Sequence, residues 1–410
     1  MVEKVIQLRC SCNNYPWGKK GRESLAARLC EKTNPDFRID NDKDYAEMWM
    51  GTYPELPSYS LSTGQDLQEI INAHQEALVG KSVLDKFGPD LPFLPKILSI
   101  AKALPLQIHP NIELATKLHE QDPDKFTDPN HKPEIAVALT KFEAFVGFKN
   151  LNDIETLFQR LEPLKQFIPT TDGDEGPSSF SDTALKSLCR NLLFASPDTV
   201  ASTLKSLRST PRSELGSHSY ISDLIPRLNE QYSDQDNGTL VALLTMNYLV
   251  LEPGSALYIP ADGIHAYLSG EIVECMARSN NVLNTGFCPR ADRDNIDLFV
   301  ETLSFKQHDP SEPILKRQKS QKGQNGLTHV FTPPMAEFNM LVSEIPAGEV
   351  EVVSPIYGPS ILVVTQGSGS LEVGSGEVDL PEGAIFFVGH GVEIRIRATE
   401  EVKVYRAYVE

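Results

Sequence analysis

Gln107 and His109, in the run Leu106-Gln107-Ile108-His109-Pro110, stand two residues apart. A strand over 104–109 sends both side chains off one face, so an amide oxygen and an imidazole nitrogen can converge on one ion. Glu134, in Asn130-His131-Lys132-Pro133-Glu134, offers an anionic oxygen, and His265, in Gly263-Ile264-His265-Ala266-Tyr267, offers a second nitrogen. These four donors make a two-nitrogen, two-oxygen, thiol-free set that suits one Zn²⁺ and leaves room for water or a substrate oxygen. A Gln-x-His pair on a strand is also an ordinary polar edge, so the set becomes a site only if the fold gathers it.

A divalent cation polarises oxygen, and a neighbouring acid or base can then move a proton. Lys132 lies two residues before Glu134 and can enter the same cavity, or it can be a solvated loop lysine. Glu274 alternates with apolar neighbours in Ile272-Val273-Glu274-Cys275-Met276 and can point into a barrel. Burial there raises a carboxyl pKa unless the group is paired.

The elements that must position these residues are mainly strands. Before residue 150, short apolar runs such as Leu94 to Ile100 and Glu134 to Ala138 alternate with turn signals and with two amphipathic stretches, Leu67 to Leu78 and Ile112 to Glu120. From Leu151 to Tyr232 the pattern turns helical. Ser196-Pro197-Asp198 reads as an N-cap followed by proline at the first helical position, and Val200, Leu204 and Leu207 then recur at helical spacing. Pro169 to Ser181, rich in Gly, Ser, Asp and Pro, reads as an exposed loop. Strand character is expected to return at Gly238, with Leu240 to Leu251 nearly continuous in apolar residues and a turn at Glu252-Pro253-Gly254-Ser255. Lys316 to Gly326 is polar and reads as a linker or mobile loop. Beyond Glu337, Met340 to Val342, Ser360 to Val364, Ser370 to Val373, Ala384 to Val388 and Val402 to Tyr408 read as strands of a jelly roll.

Composition narrows the class. With 410 residues, 40% of them hydrophobic, the chain can bury more than one core. No apolar run approaches the roughly 20 residues that span a bilayer, and Met1-Val2-Glu3-Lys4 lacks a signal-peptide profile, so a cytoplasmic protein without membrane contact is expected. Six cysteines are too sparse for a disulfide scaffold, and Cys10-x-Cys12 reads as reduced thiols on a strand. The formal charge of -18, with no basic stripe, excludes a nucleic-acid surface. An acidic protein that binds an anion needs local cations, whatever the total.

Several ordered runs resemble one family along nearly the whole chain: Asn14-Tyr15-Pro16-Trp17-Gly18, Tyr45 to Gly51, Leu91 to Lys96, Gln107 to Pro110, Asn130 to Glu134, and Tyr258-Ile259-Pro260 through Ser269-Gly270. The chain resembles the type I phosphomannose isomerases, which are zinc-dependent cupin enzymes. The resemblance implies two cupin-like jelly-roll domains and a small all-α domain, mainly β with a helical insertion. The expected boundaries are a discontinuous catalytic domain over 1–150 and 236–310, the insertion over 151–235, and a linker with the C-terminal jelly roll over 311–410. It implies interconversion of mannose 6-phosphate and fructose 6-phosphate through a metal-stabilised enediolate, serving GDP-mannose biosynthesis, with a small sugar phosphate as ligand and a monomer as the working unit. Gln107, His109, Glu134 and His265 become the ligands of one zinc ion, Lys132, Glu274 and Arg290 the catalytic residues, and Lys96, Trp17 and Glu47 the substrate contacts. Within those contacts, Lys96 is the candidate for the phosphate.

The chain departs from the family at three places. Where the family usually reads Ser-Asp-Asn-Val-Val-Arg-Ala-Gly, this chain reads Ser279-Asn280-Asn281-Val282-Leu283-Asn284-Thr285-Gly286. Asparagine neither transfers protons near neutral pH nor supplies a charged fork. Pro105 replaces a serine hydroxyl that could hold phosphate. Arg278, Arg290 and Arg293 are nearby cations that can restore the missing charge. The pattern fits an active isomerase, or a non-catalytic metal-binding paralogue that binds a sugar phosphate or a partner protein. A cupin oxygenase fits less well, because such sites offer iron histidines and one carboxylate without a glutamine.

Overall fold

The computed structural model describes residues 2–169 and 181–410. Strands predominate, with helices between them. The loop expected from Pro169 to Ser181 falls, apart from its two ends, outside the described residues.

One long strand, His265–Ala277, organises the sheet that carries the site. Between Gly270 and Ala277 it pairs antiparallel with Phe93–Ile100 on one side and, over Ile272 to Met276, with Glu134–Ala138 on the other. Between His265 and Ser269 it pairs instead with Phe142–Phe148, and His265 lies opposite Gln107. The change of partner occurs at Gly270, where φ is +130° and a Cβ would come 2.8 Å from the Lys141 carbonyl oxygen. Only glycine fits that dihedral and that space. Both halves of the strand therefore contribute to one apolar core that includes Trp17, Leu98, Ala136, Phe142, Tyr267 and Ile272.

The strands of this sheet are apolar on both faces because both faces are covered. Ala136 and Ala138 belong to that core, whereas Ile135 and Val137 face a second one shared with Phe331, Phe338, Ile361 and Phe387 of the C-terminal segment. That segment forms an eight-stranded sheet and a four-stranded sheet over a core of Leu341, Val353, Leu362, Phe386, Ile394 and Val404. Val5–Arg9 pairs antiparallel with Ile385–Val388, so the start of the chain completes the sheet of its end.

Helices cover the remaining face. Leu151–Arg160, Asp182–Leu193, Pro197–Ser209, Tyr220–Gln231 and Asn237–Thr245 pack on Leu106, Ile108, Phe145, Phe148, Ala266 and Leu268. As the sequence suggests, the Ser196 side chain accepts from Thr199 N, Pro197 opens the helix, and Val200, Leu204 and Leu207 are buried. The expected strand over Leu240 to Leu251 is corrected. Asn237–Thr245 is a helix and only Met246–Leu251 is strand. All nine residues of that helix are buried, so it lacks the polar face by which an amphipathic helix announces itself. Lys316 to Gly326 is likewise not a free linker. Gln318–Lys319 pairs with Thr328–Phe331, and Gln324 N donates to Val352 O.

Candidate functional site

Cross-strand pairing brings the four proposed donors together. Gln107 sits opposite His265 on one side and opposite Asn284 on the other, so these three side chains share a face. Glu134 opens its strand opposite Met276 and Ile259. The ring nitrogens of His109 and His265 and a carboxylate oxygen of Glu134 lie within 4.8 Å of one another, all from buried residues.

The tautomers follow from the neighbours. His109 Nδ1 is 2.7 Å from Asn281 O, and His265 Nδ1 is 2.9 Å from Gly263 O. A carbonyl only accepts, so each Nδ1 carries the hydrogen and each Nε2 presents a lone pair. Both Nε2 atoms are buried and have no hydrogen-bond partner. They lie 3.4 and 3.6 Å from the two oxygens of Glu134, lone pair facing lone pair. Such an arrangement is repulsive by itself and is relieved by a cation among the three groups. The donor types and the oriented Nδ1–H groups fit zinc.

Charge sustains this arrangement. Burial pushes Glu134 up, but Lys132, with Nζ 3.3 Å from Oε1, more than offsets this and holds its carboxyl well below the usual range. Burial brings His265 down to about 4, partly opposed by Glu134. It also lowers His109, and Lys132 adds repulsion. Both rings are thus kept neutral, the form that binds metal. The Tyr267 hydroxyl donates to Glu134 Oε2 at 3.5 Å from behind the site.

A cavity of about 860 Å³ opens on this cluster. Gln107, Lys132, Glu134, Glu274, Lys96, Glu47, Trp17 and Arg290 all line it, while the fully buried His109 and His265 stand behind its wall. Every side chain expected at the site is therefore in one place, but their settings differ. Lys96 is buried with Nζ 3.5 Å from both Glu47 and Glu274 and 4.7 Å from the centre of the Trp49 ring. Burial alone would lower its pKa, yet the two carboxylates more than reverse this. Its charge is already matched, which leaves little for a phosphate. Burial raises Glu274, Glu134 raises it further, and Lys96 only partly compensates.

Lys102 and Arg290, both exposed at the cavity lining, have no ion-pair partner among the described residues. Arg290 was singled out in the sequence. Lys102 was not, since nothing local distinguishes it from any surface lysine. Arg278 is occupied with Thr52 and the face of Tyr53, and Arg293 with Asp236. Asn280 donates to Glu55, while Asn284 Oδ1 is buried without a partner. Asn281, which supplies the carbonyl for His109, was also missed. Tyr267 was legible in principle, two residues after His265 and hence on the same strand face.

Comparison with known proteins agrees with this geometry. Residues 5–151 match the family model for the catalytic domain of type I phosphomannose isomerase. The mannose-6-phosphate isomerase of Schizosaccharomyces pombe is 37% identical over 423 residues, covering 99% of this chain and 100% of the relative. That of Aspergillus fumigatus is 35% identical over 441 residues, covering 97% and 94%. The crystal structure of mannose 6-phosphate isomerase from Salmonella typhimurium, bound to fructose 6-phosphate and zinc, superposes with a TM-score of 0.82 at 26% identity over the full length of both chains.

Proposed function

The chain belongs to the type I phosphomannose isomerase family, and from that premise we propose that it interconverts mannose 6-phosphate and fructose 6-phosphate with one zinc ion per chain. The observation that carries this reading is the pair of partnerless imidazole nitrogens facing Glu134 on the wall of the cavity. His109, Glu134 and His265 would hold the metal, and Gln107 is positioned to add a neutral oxygen donor. Bound there, zinc supplies a Lewis acid that polarises the sugar oxygens and stabilises the developing enediolate charge.

The remaining steps fall to the protein's own groups. Isomerisation requires a proton to leave one carbon and return to its neighbour, which suits a carboxyl whose pKa lies nearer neutrality than usual. Glu274, which lines the cavity and is raised by burial and by Glu134, would make that transfer. Lys132, beside Glu134, donates to a sugar oxygen. Lys102 and Arg290 take the phosphate, and Trp17 forms an apolar wall of the cavity. Lys96 acts by fixing Glu47 and Glu274. The layout we infer is a cupin-like catalytic unit over 1–150 and 236–310, an all-α insertion over 151–235, and a second jelly roll within 311–410, working as a cytoplasmic monomer in GDP-mannose supply. No described helix is long and apolar enough to cross a membrane.

The direct test assays fructose 6-phosphate formation with and without chelator, in deuterated water, for the native chain, Glu274→Gln and Lys132→Met. Activity that disappears with zinc and returns with it, and a proton-transfer defect in Glu274→Gln with zinc retained, are expected. Turnover that is indifferent to chelation, or native rates in both variants, would overturn the proposal.

A further inference from the structure

Arg290 reaches the cavity from a turn with an unusual backbone. Phe287, three residues earlier, has φ +53°, the only positive φ at a non-glycine residue among those described. A left-handed residue with a Cβ costs about 1 kcal/mol or more and persists only where its surroundings hold it. Here they do. Phe287 is buried, with its ring 6.0 Å from that of Tyr232, and its N–H donates to Asp236 Oδ2 at 3.1 Å. The preceding Gly286 touches Gly238 backbone to backbone: a Cβ on Gly286 would lie 2.4 Å from the Gly238 Cα.

Asp236 is the centre of this clasp. Its carboxylate is buried, caps the helix Asn237–Thr245 through Gly238 N at 2.8 Å, holds Phe287 N, and accepts from Arg293 Nη2 at 2.7 Å. Arg293 in turn donates to Cys288 O, closing the turn on itself. The short helix Arg290–Asp292 lies between these fixed points, so the clasp determines where its side chains stand. No group in the proposed proton transfer uses Asp236 or Arg293.

We infer that Asp236 and Arg293 are positioning residues that set the place of Arg290 in the cavity, and through it the grip on the phosphorylated end of the substrate. This rests on the function proposed above. A double-mutant cycle separates the two claims, using Asp236→Asn, Arg290→Ala and the combination, with Arg293→Lys as a milder probe that keeps charge but loses the two-pronged fork. Zinc content and the thermal transition report on folding.

Removing one charge-assisted contact to phosphate should raise KM for mannose 6-phosphate about tenfold in Arg290→Ala. Asp236→Asn should raise KM more than it lowers kcat, and in the Arg290→Ala background its further effect on KM should shrink to less than about twofold. Arg293→Lys should lie between native and Asp236→Asn. An unchanged KM in Arg290→Ala overturns the phosphate reading and this inference with it. A raised KM in Arg290→Ala with no change in Asp236→Asn, or the same factor from Asp236→Asn in both backgrounds, overturns the inference alone.

Discussion

Zinc affinity should fall far less between pH 7.5 and 5.5 than two ordinary histidine ligands would allow. Protons compete with zinc for imidazole, and the neutral ring is the form that binds. For two ordinary histidines titrating near 6.5, each loses about tenfold in apparent affinity over that range, roughly 100-fold together. His265 titrates at about 4, so it stays neutral at pH 5.5 and contributes almost nothing to the loss. His109 is lowered for the same reason, and Glu134 stays ionised because its own pKa is depressed. The combined change is therefore expected to stay below about tenfold. Zinc-stripped protein would be titrated against a competing chromophoric chelator, correcting for that chelator's own protonation, at half-unit intervals of pH. A fall near 100-fold would mean that the rings titrate like exposed histidines, and the argument from burial and tautomer would fail.

Replacing His265 with alanine should abolish zinc retention and isomerase activity together; elemental analysis showing full zinc occupancy would remove His265 from the ligand set. Lys96→Met leaves the buried carboxylate of Glu47 without its cation, and should destabilise the protein by about 3–5 kcal/mol at neutral pH. Denaturant unfolding at pH 7.5 that shows a loss below about 1 kcal/mol would contradict it. Asn284→Arg introduces a cation beside Gln107 at a position whose own Oδ1 has no partner. It should lower KM for the sugar phosphate about threefold with zinc content unchanged, and a raised KM would show that the neutral amide is itself what the substrate needs.

The sequence carried the strands and the donor set well because both are local patterns. The expected strand over 104–109 shrinks to Leu106–Ile108, with His109 just beyond its end, whereas the C-terminal strands from Met340 to Tyr408 lie where apolar runs and glycine turns put them. Three things were not legible. A helix buried on every side, Asn237–Thr245, has no period to read. The pairing of Val5–Arg9 with Ile385–Val388 joins residues nearly four hundred apart, and neither run signals its partner. Finally, which cations remain free depends on which carboxylates fold beside them. Lys96 and Lys102 look alike in the chain, yet one is held between two glutamates and the other faces the cavity with no ion-pair partner among the described residues.

That distribution of charge explains how a chain of net charge -18 can receive a dianion. The cavity is lined by as many cations (Lys96, Lys102, Lys132, Arg290, Arg293) as carboxylates (Glu47, Glu134, Glu274, Asp236, Asp292), so the acidity of the whole protein stops at its rim. Most of those charges are paired off: Lys96 with Glu47 and Glu274, Lys132 with Glu134, and Arg293 with Asp236. A divalent cation added to this balanced lining gives it the surplus that a phosphate monoester requires. The same balance bears on Asn280 and Asn284. Relative to the family pattern, one acid and one arginine have both become neutral amides in the cavity lining. The two changes are opposite in sign, so together they leave the formal charge of the lining unchanged. The paired replacement therefore preserves the charge balance of the cavity, in which Lys102 and Arg290 are the exposed lining cations with no ion-pair partner among the described residues.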